Sequence, residues 1–373
     1  MKTLPKLLLG LLAFSFLIAC GQKKQNDQQI DQVLTYDYEV VVKDLQIPWA
    51  FAFLPDNSML ITEKDGRLIH FNDGNKQEIS GLPEIYNRGQ GGLLDIALHP
   101  NFSKNKRLYL TYASPAGDDN GGNTALMQAE LSDDQLINQK VLYKAIPNTT
   151  AGQHFGSRIV IDKNNDIYFS IGERGERDVN PQDIKRDGGK IYRLHENGEI
   201  PTDNPFYNQV DAKKAIYSYG HRNPQGMEIH PETGELWLHE HGPKGGDEIN
   251  IVKKGANYGW PVITYGENYS GTSITDITEK EGMEQPIHYW TPSIAPSGMA
   301  FVTVDKYPEL KGGLLVGSLK FQYLEFLKLD GNKVVERRKL LEDIGRVRSI
   351  NLSPKDEIYI GVENLGIVKL VTK

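Results

Sequence analysis

Residues 238–250 read LHEHGPKGGDEIN, a run dense in groups able to hold a metal ion. His239 and His241 flank Glu240; Asp247 and Glu248 follow, with Gly-Pro and Gly-Gly between. Two readings stand at this stage. The run could be a metal site with the imidazoles as ligands, or one in which the histidines do not hold the ion. A second constellation is His154, in GQHFGSR, with Glu173 nineteen residues later. A carboxylate opposite a histidine fixes its tautomer and raises its basicity, as a general base requires. Taken alone, each histidine has a plainer reading as a surface or core residue, and His70, His99, His195, His230 and His288 are read that way. The third constellation is cationic: Arg222, Lys320, Arg346 and Arg348. The formal net charge is −7, which argues against a nucleic-acid partner. Cations that gather at one place in such a chain point to a polyanionic ligand, and arginine's planar fork suits carboxylates or phosphates. No Gly-rich phosphate loop opens a helix, and neither a G-x-S-x-G elbow nor H-E-x-x-H is present.

These groups are far apart in sequence, so the fold must bring them together. Short β-rich runs with Gly, Asn, Asp and Pro turns dominate after the first twenty residues, and no segment is strongly helical. The runs repeat as strand, polar turn, strand over 50–63, 95–112, 158–173, 226–240, 298–318 and 348–363. Phe53, Leu98, Ile161, Ile229, Phe301 and Leu352 are the matching apolar positions, spaced 45, 63, 68, 72 and 51 residues apart. Six blade-sized units predict an all-β, six-bladed β-propeller. A large sandwich made of the same hairpins is the competing architecture. In an antiparallel hairpin, the start of the first strand and the end of the second lie at the same end. If all six hairpins line one channel, Trp49, Gln90, His154, Arg222, Asn223, Ser297 and Arg346 converge on one mouth. Glu173, His241, Gly242, Pro243 and Lys320 join them there from the second strands.

Residues 1–20, MKTLPKLLLGLLAFSFLIAC, place two lysines before an apolar run that ends at Cys20, the chain's one cysteine. That is the pattern of an export signal, too short to span a bilayer. LIAC followed by Gly21 resembles a bacterial lipoprotein signal, in which the cysteine is acylated. An ordinary signal peptide is the alternative. Residues 21–34 are polar and Gln-rich and read as a tether, leaving 35–373 as one propeller domain. The expectation is an exported protein held to a membrane by lipid and facing the periplasm or cell exterior. A single cysteine excludes a disulfide framework.

The chain resembles the soluble quinoprotein glucose/sorbosone dehydrogenase family. PWAFAFLPDNSMLITEKDGRL, GQGGLLDIALHPNF, HFGSRIVID, GKIYRLHENGEIPTDNPF, YGHRNPQGMEIHP, HGPKGGDEIN, GANYGWP, GGLLVGSLK and GRVRSI match in order, from about residue 38 to the C-terminus. The resemblance implies a six-bladed propeller binding pyrroloquinoline quinone, a tricarboxylate, together with calcium. By motif, Lys320, Arg346 and Arg348 look like carboxylate clamps. Arg222 and Asn223 look like the pair at the quinone oxygens, and Gln90 and Tyr269 look like further contacts to cofactor or substrate. The same resemblance makes His154 the base that deprotonates a sugar's anomeric hydroxyl, with Glu173 orienting it. Hydride passes to the quinone, calcium and Arg222 stabilise the charge that develops, and the product is a lactone. It also assigns the carbonyls of Gly242 and Pro243 to the cofactor's calcium, and Glu248 with the carbonyl of Tyr258 to a second calcium. Gln153 stands where some glucose dehydrogenases carry Asp, and the loops between blades are short, which favours the broader aldose sugar branch. An aldose substrate and a separate electron acceptor are then the partners. A calcium-dependent propeller hydrolase, such as a lactonase, and a non-catalytic sugar-binding lipoprotein are the competing functions.

Overall fold

The computed structural model describes residues 35–373; the predicted signal, Cys20 and the tether lie outside the described residues. Six four-stranded antiparallel sheets follow one another along the chain. Their inner two strands are Pro48–Phe53 and Met59–Glu63, Leu93–Leu98 and Arg107–Ser114, Ile159–Ile161 and Ile167–Ile171, Pro224–Ile229 and Leu236–Glu240, Pro296–Phe301 and Leu314–Ser318, and Val347–Leu352 and Ile358–Val362. These are the six hairpins expected from sequence. The first strands of neighbouring sheets pack against one another in a closed ring and line the central channel. The chain is a six-bladed β-propeller. One short helix, Phe102–Asn105, interrupts the second blade, and among the described residues no helix is long and apolar enough to cross a membrane.

Closure comes from the two ends of the domain. Tyr36–Val42 pairs with Gly366–Thr372 as the outermost strand of the sixth blade, so the first described strand completes a sheet whose other three strands are the last. Six apolar clusters match this geometry, one between each pair of adjacent blades, including the sixth against the first through Val42, Leu45, Ile367, Phe51 and Ile61. Each fully buried Leu or Ile in these seams stabilises by roughly 1.5–3 kcal/mol relative to exposure.

Strand composition follows position. Inner second strands are covered on both faces and read as nearly continuous apolar runs, such as Met59–Glu63 and Ile167–Ile171, which are buried throughout. Outer strands such as Asn75–Glu78 are exposed and polar. The turns of the six inner hairpins each contain a left-handed residue: Asn57, Lys106, Asn165, Gly234, Gly312 and Asp356. Gly, Asn and Asp, which tolerate that conformation, fill five of those positions.

At the opposite end of the first strands the pairing slips. Bulges fall at Pro48/Ala50, Leu93/Ile96, Pro224/Gly226, Ser297/Met299 and Val347/Ser349. A bulge re-aims the side chain it carries, and Trp49, Leu94, Gln225 and Arg348 at these slips all line the cavity described below. Between them sits a buried ion pair. Arg158 Nη1 donates to Asp95 Oδ1 at 3.1 Å, and Asp95 Oδ2 accepts from the Ile159 amide at 2.7 Å. Removing one partner of such a pair leaves an uncompensated buried charge. Asp95→Ala is therefore expected to lower unfolding free energy by about 3–5 kcal/mol, read as a reduced urea midpoint.

Candidate active site

One mouth of the channel opens into a cavity of about 380 Å³ lined by Trp49, Lys64, Gln90, Phe155, Gln225, His241, Tyr269, Arg346, Arg348 and Glu363 among others. Three cations face one carboxylate there. Glu363 accepts from Arg346 Nε at 2.7 Å and from Arg348 Nε at 2.5 Å, holding the two guanidiniums side by side. Arg346 also donates Nη1 to the Leu319 carbonyl at 3.0 Å. Lys64 Nζ donates to Asn87 Oδ1 at 2.9 Å and to the Gly91 carbonyl at 3.1 Å, which leaves one of its three donors for the cavity. Burial and the neighbouring Arg348 charge lower the Lys64 pKa. The opposite mouth of the channel holds a larger depression whose charged group is Glu228, so the cationic character belongs to one end alone.

His154 stands at the lip of the cationic cavity and is fixed from three sides. Its amide donates to Gln90 Oε1 at 2.8 Å, its Nδ1 bonds Glu173 Oε1, and its neighbour Phe155 lines the cavity. The backbone is left-handed here, φ +57°, a conformation that costs a non-glycine residue about 1–2 kcal/mol and persists where surroundings over-determine it. Glu173 is buried, with its amide donating to the Arg222 carbonyl and its own carbonyl accepting from Asn180 Nδ2. Gly172 makes the approach possible: a Cβ there would lie 2.4 Å from the His154 carbonyl oxygen and 2.6 Å from Asn223 Oδ1. Burial is the main reason the His154 pKa falls below its ordinary value; the Arg222 and Arg174 charges push the same way and Glu173 opposes them. That direction favours the neutral ring. Donation of Nδ1–H to Glu173 leaves a lone pair on Nε2.

Arg222 and Asn223 lie together beside this pair. Asn223 Oδ1 accepts from the Gly156 amide at 3.1 Å, which sets the orientation of its amide and leaves the buried Nδ2 without a partner. A buried, unpaired N–H beside a cationic cavity is a place for a ligand oxygen. Arg222 Nη1 donates to the carbonyls of His241, at 3.1 Å, and Gly242, at 2.9 Å. Lys320 is exposed on the rim and lies outside the cavity lining, its Nζ 5.0 Å from the Phe321 ring. Tyr269 borders the cavity but is 74% exposed. Pro243 is buried in the same loop as Gly242.

The histidines of LHEHGPKGGDEIN are committed to the fold. His239 Nε2 donates to the Gly298 carbonyl and His241 Nε2 to the Pro296 carbonyl, at 3.1 and 2.7 Å. Burial drives the His239 pKa down to about 3 and holds that of His241 well below its usual range. The oxygens are better placed. Glu240 and Glu248 border a small void together with Tyr258, Gly246 and Thr264, and Asn250 Nδ2 reaches both carboxylates, at 3.3 and 3.2 Å. Burial first, then the charge of Glu240, pushes Glu248 up to about 8. Arg222 also lines this void and Glu240 is paired with His221, but Glu248 makes no ion pair among the described residues, which leaves its carboxylate the one with room for a divalent ion. Among the described residues there is no group of three or more His, Cys, Asp or Glu side chains placed to hold a metal, so a cation here or at Gly242 and Pro243 would take most of its oxygens from carbonyls, water or a bound ligand. Lys64, Glu363, Glu240 and His221 are parts of the site that motif reading did not assign. His221 Nδ1 bonds Glu240 Oε1 at 2.8 Å, and Glu240 Oε2 accepts from the Arg222 amide at 2.6 Å, so this pair sets the backbone that carries Arg222.

Residues 45–369 match the family model for glucose/sorbosone dehydrogenase, and the chain belongs to that family. Among its relatives is aldose sugar dehydrogenase YliI of Escherichia coli strain K12, 43% identical over 334 residues, covering 87% of this chain and 90% of the relative. The apo-form crystal structure of the soluble aldose sugar dehydrogenase from Escherichia coli superposes with a TM-score of 0.88 at 40% identity, over 91% of this chain and all of that one. The PQQ-bound aldose sugar dehydrogenase from Streptomyces coelicolor superposes with a TM-score of 0.75 at 26% identity, over 91% and 98% of the two chains.

The His154 environment has a signed consequence. Glu173 favours the imidazolium, so Glu173→Gln should lower the His154 pKa further below 6.5. Histidine NMR titration checks this; a pKa that rises in the variant would contradict the assigned contact.

Proposed function

We propose that this protein oxidises the anomeric carbon of aldose sugars to the lactone, using pyrroloquinoline quinone and calcium. The observation that carries the reading is a histidine, backed by a buried carboxylate, at the lip of a cleft with three cations and an unpaired buried amide. Lys64, Arg346 and Arg348 suit the cofactor's carboxylates, with Lys320 on the rim; Asn223 Nδ2 and Arg222 suit its quinone oxygens. When bound, the cofactor supplies the acceptor for a hydride. His154 Nε2 takes the hydroxyl proton of the sugar and later returns it to solvent. Glu173 keeps the imidazole in the tautomer that exposes Nε2 and stabilises the imidazolium. Arg222 places positive charge where negative charge develops. Gly242 and Pro243 carbonyls are the proposed donors to the cofactor's calcium, and Glu248 with the Tyr258 carbonyl to the second. Breadth across aldoses, rather than glucose alone, is part of the same proposal, as is export with a lipid on Cys20.

Purified protein supplied with pyrroloquinoline quinone and calcium should reduce an artificial dye in the presence of aldoses. His154→Ala should bind the cofactor normally and lose about 10²–10⁴-fold in kcat. Absence of dye reduction with every aldose despite bound cofactor, or lactone hydrolysis without the quinone, would overturn the reading. Chelation should lower the melting temperature of the wild type, and Glu248→Ala should diminish that calcium-dependent shift; equal shifts in both would move the second ion elsewhere.

A further inference from the structure

Directly after Glu173 comes a side chain the proposed chemistry does not use. Arg174 is 1% exposed, and its guanidinium makes no ion pair among the described residues; its partners are oxygens of residues 149–153, the segment that leads into His154, and the Gly122 carbonyl. Nη1 donates to the Gln153 carbonyl. Nη2 donates to the Ala151 carbonyl at 2.8 Å, the Gly122 carbonyl at 3.2 Å and Thr149 Oγ1 at 3.2 Å. The guanidinium carbon lies 3.4 Å from the centroid of the Phe155 ring. One planar cation thus grips the residue before His154 through its carbonyl and the residue after it through its ring. A buried guanidinium held only by neutral oxygens and an aromatic face is costly, with burial lowering its pKa to about 10. A methionine or leucine would fill the same space without that penalty. Consecutive residues therefore hold the two parts of the histidine: Glu173 its ring, Arg174 its backbone.

We propose that Arg174 is a positioning residue for His154: by clamping the Gln153 carbonyl and the Phe155 ring, it holds the histidine in the left-handed backbone conformation from which Nδ1 meets Glu173. The kinetic arm of the test rests on the dehydrogenase reading; the spectroscopic arm does not. The charged and titratable groups around His154 are Glu173, Arg174, Arg222 and His241, and Arg174 is one of the cations that disfavour its protonation.

The test uses the full-length protein in three forms: wild type, Arg174→Met and Arg174→Lys. For Arg174→Met, kcat should fall about 10–100-fold, the scale expected when a reacting group is misplaced by about an ångström. The dissociation constant for pyrroloquinoline quinone and the KM for the sugar should stay within about threefold, well short of that effect on turnover. With the cation gone, the His154 pKa in histidine NMR, and the acid limb of kcat/KM, should move to higher pH. Arg174→Lys keeps the charge but not the fork, so its His154 pKa should stay near the wild-type value while kcat remains low. Wild-type kcat and pKa in Arg174→Met, with only a lower melting temperature, would reduce Arg174 to a packing role and overturn the proposal. If Arg174→Met does not fold, wild-type kcat in Arg174→Lys does the same. A wild type that turns over no aldose counts against the dehydrogenase reading and leaves the NMR comparison to decide on Arg174.

Discussion

The guanidinium of Arg158 is the tie on which the geometry of the mouth depends. It belongs to the third blade and reaches four others. Its central carbon lies 4.4 Å from the centroid of the Trp49 ring of the first blade, and Nη1 meets Asp95 of the second. Nε donates to the Gln225 carbonyl of the fourth at 3.1 Å, and Nη2 to the Arg348 carbonyl of the sixth at 3.5 Å. Ser297 of the fifth blade donates to that same carbonyl at 3.0 Å. A ring of sheets joined only by apolar seams could slide by small amounts, because hydrophobic contact is non-directional. Hydrogen bonds from one rigid fork to two carbonyls and a carboxylate fix angles as well as distances. The bonded residues Gln225 and Arg348 sit at bulges and also line the cavity, so the channel ion pair sets the floor on which the site stands. A buried pair of this kind contributes little net stability compared with well-packed apolar residues; its effect is on relative placement.

Above that floor the electrostatics are unbalanced. Arg346 and Arg348 lie side by side with one carboxylate, Glu363, between them and Lys64 nearby. Burial and the neighbouring Arg346 charge lower the Arg348 pKa, and Glu363 limits the fall. Such a cleft stabilises an anion that enters it because the repulsion has already been built into the fold, a form of preorganisation. At His154, burial is the main cause of the lowered pKa, and the charges that add to it are Arg222 and Arg174. The cations that line the cavity, Lys64, Arg346 and Arg348, are a separate set from these two.

How far this could be read from sequence depended on whether the signal was local. Inner hairpins were legible, since apolar runs, Asn/Asp/Gly turns and blade-sized spacing are all short-range patterns. The closing strand Tyr36–Val42 was not, because its partner Gly366–Thr372 lies more than three hundred residues away and neither strand announces the other. The hairpin-end rule put His154, Glu173, Arg222, Asn223, Gln90 and Arg346 at one mouth; Gln90 and Arg346 line the cavity, and His154 bonds Gln90 and Glu173. Applied fully, it would also have marked Lys64 and Glu363, which directly follow the second strands Met59–Glu63 and Ile358–Val362. They were missed because a lysine and a glutamate after a strand look like ordinary surface residues. Arg174 left no trace in the pattern: its partners are backbone carbonyls, and carbonyls have no sequence signature.

The stretch LHEHGPKGGDEIN shows the same limit from the other side. Its conspicuous histidines spend their Nε2 protons on carbonyls of the next blade. Asp247, which invites reading as a metal ligand, is already saturated: Oδ1 accepts from the Gly242 amide at 2.8 Å and Ser293 Oγ at 2.9 Å, and Oδ2 from the amides of Ile294 and Ala295 at 2.7 and 2.9 Å. Four donors on one carboxylate make it the organiser of the loop that presents the Gly242 and Pro243 carbonyls. Burial still pushes its pKa up to about 6, against those bonds. Glu248, one residue on, has only Asn250 as a side-chain donor among the described residues and shares its void with Glu240. Adjacent carboxylates at the start of the strand Asp247–Ile251 thus differ by how many donors surround them: the saturated one organises the preceding loop, and the other is left with a single side-chain donor.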